Sequence, residues 1–239
     1  MKKNWSAIIP AAGNSKRFKY RLSKIFYKIK KKTLIEIIIN KISDYSDNII
    51  LIIRKKDKLK ILNILKKNKN KNKIYITIQK KPNGMAQAVN IGLKKVINKN
   101  FFVIWADQLY LKKKTIRNTL KNHINNANLL TFPIVKKKNP YTLILFKKNK
   151  FSNILQQRES LIKFRSGYSD CGFFAGKTIV FNNLLRKLIY KKKILTKITK
   201  EHDFLHSFKY LTPRHKIELI KINNKIESRG VNYLKDVKK

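Results

Sequence analysis

The sequence predicts an α/β sandwich built on a mainly parallel sheet, and three observations carry that prediction. Short apolar runs alternate with longer stretches of helical periodicity through the first half of the chain. The runs are continuous rather than alternating in polarity, as strands buried on both faces require. At 239 residues and 43% hydrophobic content, the chain can also bury a core large enough for several layers.

The predicted strands cover residues 5–9, 48–53, 73–78, 101–105 and 129–135. Between them lie predicted helices at 33–42, 57–67, 84–97 and 113–123. Thr33 is placed as an N-cap, with Glu36 three positions on to complete a capping box. The second half is less regular. Residues 141–146 and 151–157 read as strands joined by a lysine-rich turn, 171–175 as a further strand, 178–189 as a helix and 216–220 as a late strand. The lysine and asparagine run from Lys66 to Lys73 is short enough to be a loop. No internal repeat and no separating linker is present, so residues 1–239 are expected to form one domain. Its natural division falls near residue 108, between a nucleotide-type half (1–108) and a more irregular half (109–239).

Charge dominates the composition: 58 Lys+Arg against 12 Asp+Glu, a formal net charge of +46. Such a charge attracts polyanions and raises the possibility of nucleic-acid binding. Lysine far outnumbers arginine, however, and arginine is the better residue for bidentate phosphate and base recognition. The lysines are also spread over nearly every polar segment rather than gathered in one stripe. Together with the excess of Asn and Ile, this reads as codon-composition drift on solvated surfaces. No apolar stretch approaches the roughly 20 residues of a membrane span. The single cysteine, Cys171, excludes an intramolecular disulfide and a cysteine zinc site, and it reads as a packing residue. The simplest expectation is a cytoplasmic protein with no membrane partner.

Four segments carry residues suited to chemistry. The first is AIIPAAGNSKRF (7–18), a strand running into a small-residue turn. It matches neither GxGxxG nor GxxxxGK[ST], yet Ala11, Ala12 and Gly13 let backbone N–H groups approach an anion closely. Arg17 and Lys24 follow on the same loop to neutralise phosphate charge. The second is QKKPNGMAQAVNIGL (79–93), where Gln79 has the donor and acceptor that suit the imide edge of uracil or thymine. Gly84 opens the following helix. The third is VIWADQLY, which sets Asp107 just after an apolar strand, where open α/β sheets bind ligands. Magnesium takes one or two carboxylates plus substrate phosphate oxygens, so Asp107 is the natural metal ligand. The fourth is the closing IESRGVNYLKDV. His202 and His206, at i and i+4 in KEHDFLHSF, have zinc-site spacing but no obvious third ligand, and read as part of an ordinary helix.

Taken in order, these segments resemble the sugar-1-phosphate nucleotidyltransferases. AAGNSKRFKYRLSK is similar to their AAGxGxRM…PK signature, with Ser15 for the second glycine and Ser23 for the proline before the lysine. Residues 79–88 are similar to the QPxPxGxAQA segment of members that activate hexose 1-phosphates, where Gln79, Pro82 and Gly84 would line the base pocket. Asp107 resembles the second residue of a GD pair, with Ala106 for the glycine. Asn232 matches a late GVN position that supplies a second metal ligand, which Glu227 would support.

On the sugar side, the resemblance implies Tyr141, Glu159 and Asp170. Tyr141 and Thr142 stand for a YG pair, Gln157 to Glu159 for an acidic strand end, and Asp170 with Gly172 for an Asx-x-Gly turn. The implied fold is a Rossmann-like, GT-A-type three-layer sandwich with a mixed, mainly parallel central sheet. The implied reaction is Mg2+-dependent transfer from an NTP (UTP, dTTP or CTP) to a sugar 1-phosphate, without acetyl transfer. Two alternatives stay open. One is a cytidylyltransferase acting on an alcohol phosphate such as phosphocholine or methylerythritol phosphate; the other is a lysine-rich nucleic-acid binder of the same fold.

Overall fold

A computed structural model of the chain describes residues 4–13, 18, 22–211 and 215–237. Its first half contains β1 (Trp5–Pro10), a hairpin of β2 (Lys28–Ile29) and β3 (Lys32–Thr33), α1 (Leu34–Ile42), β4 (Asn48–Ile53) and α2 (Lys58–Lys66). Next come β5 (Ile74–Ile78), α3 (Met85–Leu93), β6 (Asn100–Ile104) and α4 (Lys113–Asn125). The second half adds β7 (Leu130–Lys138), β8 (Thr142–Lys147), β9 (Lys150–Gln156) and β10 (Ser166–Asp170). It closes with β11 (Phe173–Lys177), α5 (Thr178–Tyr190) and β12 (Ile217–Lys221).

One sheet organises the molecule. Strands β5, β4, β1 and β6 run parallel in that order. Strand β11 pairs antiparallel with both β6 and β7, and β12 pairs parallel with β7. Strand β10 continues β11 along the same edge of β7. The amides of Cys171 and Lys177 donate to Pro133 and Leu129 on that edge, whereas Ile222 donates to Ile134 on the other. Cys171 and Gly172 form the bulge between β10 and β11. Strands β8 and β9 form a separate two-stranded sheet.

The apolar runs bury both faces. Along β1, β4 and β6, alternate residues (Ala7, Ile9, Ile49, Leu51, Phe102) pack toward α1, α2 and α4. Their neighbours (Ile8, Ile50, Ile52, Phe101, Val103) pack toward α3 and α5. This two-residue period, buried on both sides, is why each strand reads as a continuous apolar run. The second face holds an aromatic cluster of Phe132, Phe174, Phe181, Phe204 and Phe208, with Phe204 and Phe208 centroids 5.0 Å apart. That cluster seats the chain at 204–208 against the sheet.

The capping box at Thr33 is present: Thr33 N donates to Glu36 Oε2 at 2.8 Å and Glu36 N to Thr33 Oγ1 at 3.4 Å. Three elements differ from the sequence expectation. Strand β10 gives no apolar signal because the residues it buries are Ser169 and Asp170. Helix α3 stops at Leu93, where Lys95 N turns back to Gly92 O. The expected helix across His202 and His206 is instead an isolated bridge between Leu195 and His202, followed by a 3-10 turn over Leu205–Tyr210.

His123 at the end of α4 is fully buried, with Nδ1 3.0 Å from Thr131 Oγ1 and its ring 5.3 Å from that of Trp5. Burial, aided by the nearby Lys177 charge, lowers its pKa from 6.5 to about 4. The unfolded chain therefore binds a proton that the folded chain refuses as pH falls from 6.5 toward 4, and stability drops across that window. The loss at about pH 5 should be roughly 2 kcal/mol relative to neutral pH. Urea titrations of wild type and His123→Gln at both pH values should show this loss in the wild type only.

Candidate active site

The carboxyl ends of the parallel strands open into a cavity of about 510 Å³, within the usual range for small-molecule sites. Strand β1 delivers Ala11, Ala12 and Gly13 to its wall. Ala11 N donates to Ile52 O at 2.8 Å, which extends the β1–β4 ladder to the cavity edge. A Cβ on Gly13 would meet no atom of the described residues within 4 Å, and Gly13 lines the cavity. Arg17 and Ser15 lie outside the described residues.

Lys24 and Asp107 face each other at the centre, with Lys24 Nζ 2.5 Å from Asp107 Oδ2 and 3.2 Å from Val231 O. The backbone at Asp107 is held from two directions. Its carbonyl accepts Leu109 N (2.9 Å) and Val231 N (3.0 Å). A Cβ on Gly230 would sit 3.2 Å from the Asp107 carboxylate, so the closing segment lies directly across that side chain. Asn232 follows, its N–H donating to Asp236 Oδ2 at 2.8 Å. Asp236 also accepts from Tyr233 N and from Arg229. Burial works to raise its pKa, but these hydrogen bonds prevail and hold it below the usual value.

Lys41, which the motifs do not contain, and Glu227, from the closing motif, brace this loop. Lys41, on α1, donates to Gln108 O (3.2 Å) and Leu109 O (2.5 Å). Burial lowers its pKa to about 8, against the opposing pull of Glu227. Glu227 is itself buried and accepts Lys112 N (3.0 Å) and Thr115 Oγ1 (2.6 Å), capping α4. Nothing local marks Lys41 in a chain so rich in lysine; only the tertiary contact singles it out.

Gln79, Pro82 and Gly84 line the cavity. Gln79 Nε2 donates to Gly84 O (3.3 Å) and Gln87 Oε1 (3.1 Å). Both amide hydrogens are thus spent inside the loop, and Gln79 offers a ligand only its carbonyl oxygen. Gly84 has φ +106°, and a Cβ there would stand 2.4 Å from His202 O. The glycine is required by the neighbouring backbone.

Tyr141 and Asp170 also line it. The Asp170 carboxylate accepts Thr142 Oγ1 (2.6 Å) and Gly172 N (2.7 Å), and burial raises its pKa. Gly172, at φ +65°, keeps the bulge clear of Gln108 and Trp105. Glu159 is placed outside the cavity lining, with its carboxylate on Ile198 N, Thr199 N and Thr199 Oγ1. The side chains that strand β9 and its successor bring to the cavity are Gln156 and Arg158, joined there by Glu201 and Asp203. The sequence pattern points to Gln157, Arg158 and Glu159; only Arg158 of these lines the cavity, because the strand ends at Gln156 and a 3-10 turn follows over Gln157–Glu159.

Among the described residues no group of three His, Cys, Asp or Glu could hold a metal, so His202 and His206 form no zinc site. Asp107 and Asn232 offer one carboxylate and one amide oxygen to the same cavity. That donor set fits magnesium, which completes its shell with water and phosphate oxygens. No helix among the described residues is long and apolar enough to cross a membrane.

A small-residue strand end, an ammonium–carboxylate pair and a cavity at the carboxyl edge of a parallel sheet define an α/β enzyme that handles phosphorylated ligands. A family model described as "MobA-like NTP transferase domain" matches residues 7–166. The chain belongs to that family and is a nucleotidyltransferase. It is 24% identical to a "Probable UDP-N-acetylglucosamine pyrophosphorylase" of Acanthamoeba polyphaga mimivirus, over 96% of this chain and 94% of that one. It is 25% identical to the "Bifunctional protein GlmU" of Buchnera aphidicola, covering 92% of this chain but only 49% of that longer protein. Among solved structures, a Bacillus anthracis protein assigned as a glucose-1-phosphate thymidylyltransferase aligns with a TM-score of 0.73. The identity there is 17%, over 92% of this chain and 87% of that one. The 4-diphosphocytidyl-2C-methyl-D-erythritol synthase of Anaerococcus prevotii aligns with a TM-score of 0.70 and 18% identity, over 98% and 94%. At these identities the structures establish the shared fold: mixed α/β with a large, mainly parallel central sheet.

Lys41→Met retains the aliphatic stem and removes both hydrogen bonds to the Asp107 loop. It should lower nucleotidyl transfer by roughly tenfold, about 1.4 kcal/mol on the barrier. The melting temperature, read by circular dichroism, should move only a few degrees.

Proposed function

We propose that this chain transfers a nucleoside monophosphate from an NTP to a sugar 1-phosphate, releasing pyrophosphate. The observation that carries the proposal is that one cavity is lined by all three sets of groups at once: Gln79, Pro82 and Gly84, then Tyr141 and Asp170, and with them Lys24, Asp107 and Asn232. Two phosphorylated substrates can thus meet at the charged centre. UTP with N-acetylglucosamine 1-phosphate is the first pair to test, given the description of the mimiviral relative. The same reading treats residues 1–239 as one cytoplasmic nucleotidyltransferase domain.

In the proposed reaction, an oxygen of the sugar phosphate attacks the α-phosphorus of the NTP in line. The bond from that phosphorus to the β-bridging oxygen breaks, and pyrophosphate departs with the electron pair. The attacking phosphate is already ionised near neutral pH, so no general base is needed. Positioning and charge neutralisation do most of the work in such transfers. Lys24 is assigned to the attacking phosphate or the α-phosphate, and Arg17 to the triphosphate and the leaving pyrophosphate. Ala11, Ala12 and Gly13 present backbone to the phosphates. Magnesium held by Asp107 and Asn232 would supply further neutralisation of the phosphate charge.

Pyrophosphate release from each NTP, against a panel of sugar and alcohol phosphates, tests the assignment. Turnover with a sugar 1-phosphate supports it. Turnover only with CTP and an alcohol phosphate, or no turnover together with salt-dependent RNA binding, overturns it.

Two variants probe the centre separately. Asp107→Ala should reduce turnover at least about a hundredfold with the circular dichroism spectrum unchanged, since the site would lose its one metal carboxylate. Lys24→Met should also lower turnover, yet it frees the carboxylate that the ammonium now contacts. The nucleotide-free variant should therefore bind Mn2+ several-fold more tightly than wild type, as read by electron paramagnetic resonance.

A further inference from the structure

We infer that residues 196–203 form a strap that fixes the acceptor wall of the cavity against the nucleotide-side turn. Glu159 and the Arg158–Glu201 pair are its positioning residues. The inference rests on the proposed nucleotide and acceptor ends of the cavity.

One face of the strap is bound to the nucleotide side mainly through backbone, with His202 Nδ1 also 3.3 Å from Asn83 O. His202 N donates to Asn83 O at 2.9 Å, and His202 O accepts Ala86 N at 3.0 Å. No slack exists at this junction, because the Gly84 backbone leaves no room there for even a methyl group. The other face is bound to the strand end that carries the acceptor wall. Arg158 donates to Glu201 Oε2 (3.0 Å) and to Gln156 Oε1 (3.0 Å). Gln156 donates in turn to the Asp203 carboxylate. Glu159 accepts from Ile198 N (3.0 Å), Thr199 N (3.3 Å) and Thr199 Oγ1 (2.5 Å).

Between its two faces the strap is internally tied. Thr196 N donates to Glu201 O (3.0 Å), Thr196 Oγ1 lies 2.8 Å from Thr199 Oγ1, and Asp203 N donates to Ile194 O (2.9 Å). Below it, the buried Phe204 and Phe208 anchor the chain in the aromatic cluster. A segment tied in this way moves as a unit. A shift of the turn at Asn83–Ala86 reaches Gln156 and Arg158 through it, and the reverse holds equally, since coupling between sites is reciprocal. Glu159, outside the cavity lining, thus acts on the acceptor through the strap.

The test uses Glu159→Ala and Thr199→Val in the full chain. Each should raise the KM for the sugar phosphate about five- to tenfold and the KM for the NTP by a smaller factor, because the backbone bonds of His202 to Asn83 and Ala86 are kept in both variants. The double variant should fall short of the two single effects added together, because the two side chains share one of their interactions. Equal rises in both KM values, or additive effects, would overturn the inference. A second arm needs no substrate. In the ligand-free protein, Glu159→Ala should accelerate hydrogen exchange at Ile198 and Thr199 and also, through His202, at Ala86. An unchanged Ala86 rate sinks the strap whatever the substrate is. Absence of turnover in the wild type, by contrast, sinks only the assigned reaction. Thr199→Val serves the same exchange measurement should Glu159→Ala fail to fold.

Discussion

The contact between Lys24 and Asp107 depends on three distant parts of the chain arriving together. Lys24 comes from the loop after β1, Asp107 from the end of β6, and the carbonyl of Val231 from the closing segment. Both side chains are mostly shielded from water, at 19% and 17% exposure, so their attraction is screened far less than a surface pair would be. A partly buried charge without a partner is costly, which makes each of these groups a reason for the others to be in place. The bracing follows the same logic. Lys41 holds the carbonyls that follow Asp107, and Glu227 holds the start of the next helix. Gly230 lets the closing segment lie against the carboxylate. The sheet sets where the loops emerge, and this ion pair gathers them into one cavity.

Carboxylates are scarce in this chain, and their placement is informative. Of 12 Asp and Glu residues, Asp107, Asp170, Glu201 and Asp203 line the cavity of a protein carrying +46 overall. Glu159, Glu227 and Asp236 support its walls by accepting backbone N–H groups. Glu36 closes a capping box and Asp57 pairs with Arg54. Lysine on an exposed face costs little, whatever drives its abundance. An acid that receives two or three hydrogen bonds at a fixed distance cannot be exchanged for a cation without leaving buried donors unpaired.

The fold was legible because its signal is local. Strands β1, β4 and β6, buried on both faces, read as continuous apolar runs, and β4 begins and ends where the pattern places it. Helix α1 announced its start through Thr33 and Glu36. Strand β10 was not legible, since it is made by pairing with β7 and buries polar side chains. The site divides along the same line. Ala11 to Gly13, Lys24, Gln79, Pro82, Gly84, Asp107 and Asn232 sit in contiguous motifs, and all of them line the cavity. Lys41, Gln156, Glu201 and Asp203 are defined by contacts across 40 residues or more, which no local pattern encodes. Glu159 shows the limiting case. An acidic strand end was the right feature to seek, but a one-residue change in where β9 stops turns that side chain from the cavity to the strap.

The charge balance inside the cavity bears on how it could hold two anions. Among its described lining residues the cations are Lys24 and Arg158, and Arg158 is committed to Glu201 and Gln156. The surrounding surface can draw phosphates inward, because a strongly positive exterior raises their local concentration and encounter rate. Attraction at long range does not neutralise a triphosphate at bonding distance, however. In the proposed reaction that task would fall to Lys24, with Arg17 assigned to the triphosphate, and to a divalent cation on Asp107. The ammonium offsets the Asp107 carboxylate in the ligand-free structure, so neither group is stranded. If phosphates enter as proposed, Lys24 would gain partners of higher charge than the carboxylate it leaves, and Asp107 would become available to a divalent cation. On that proposal, the short contact between them is the one that substrate binding has to break.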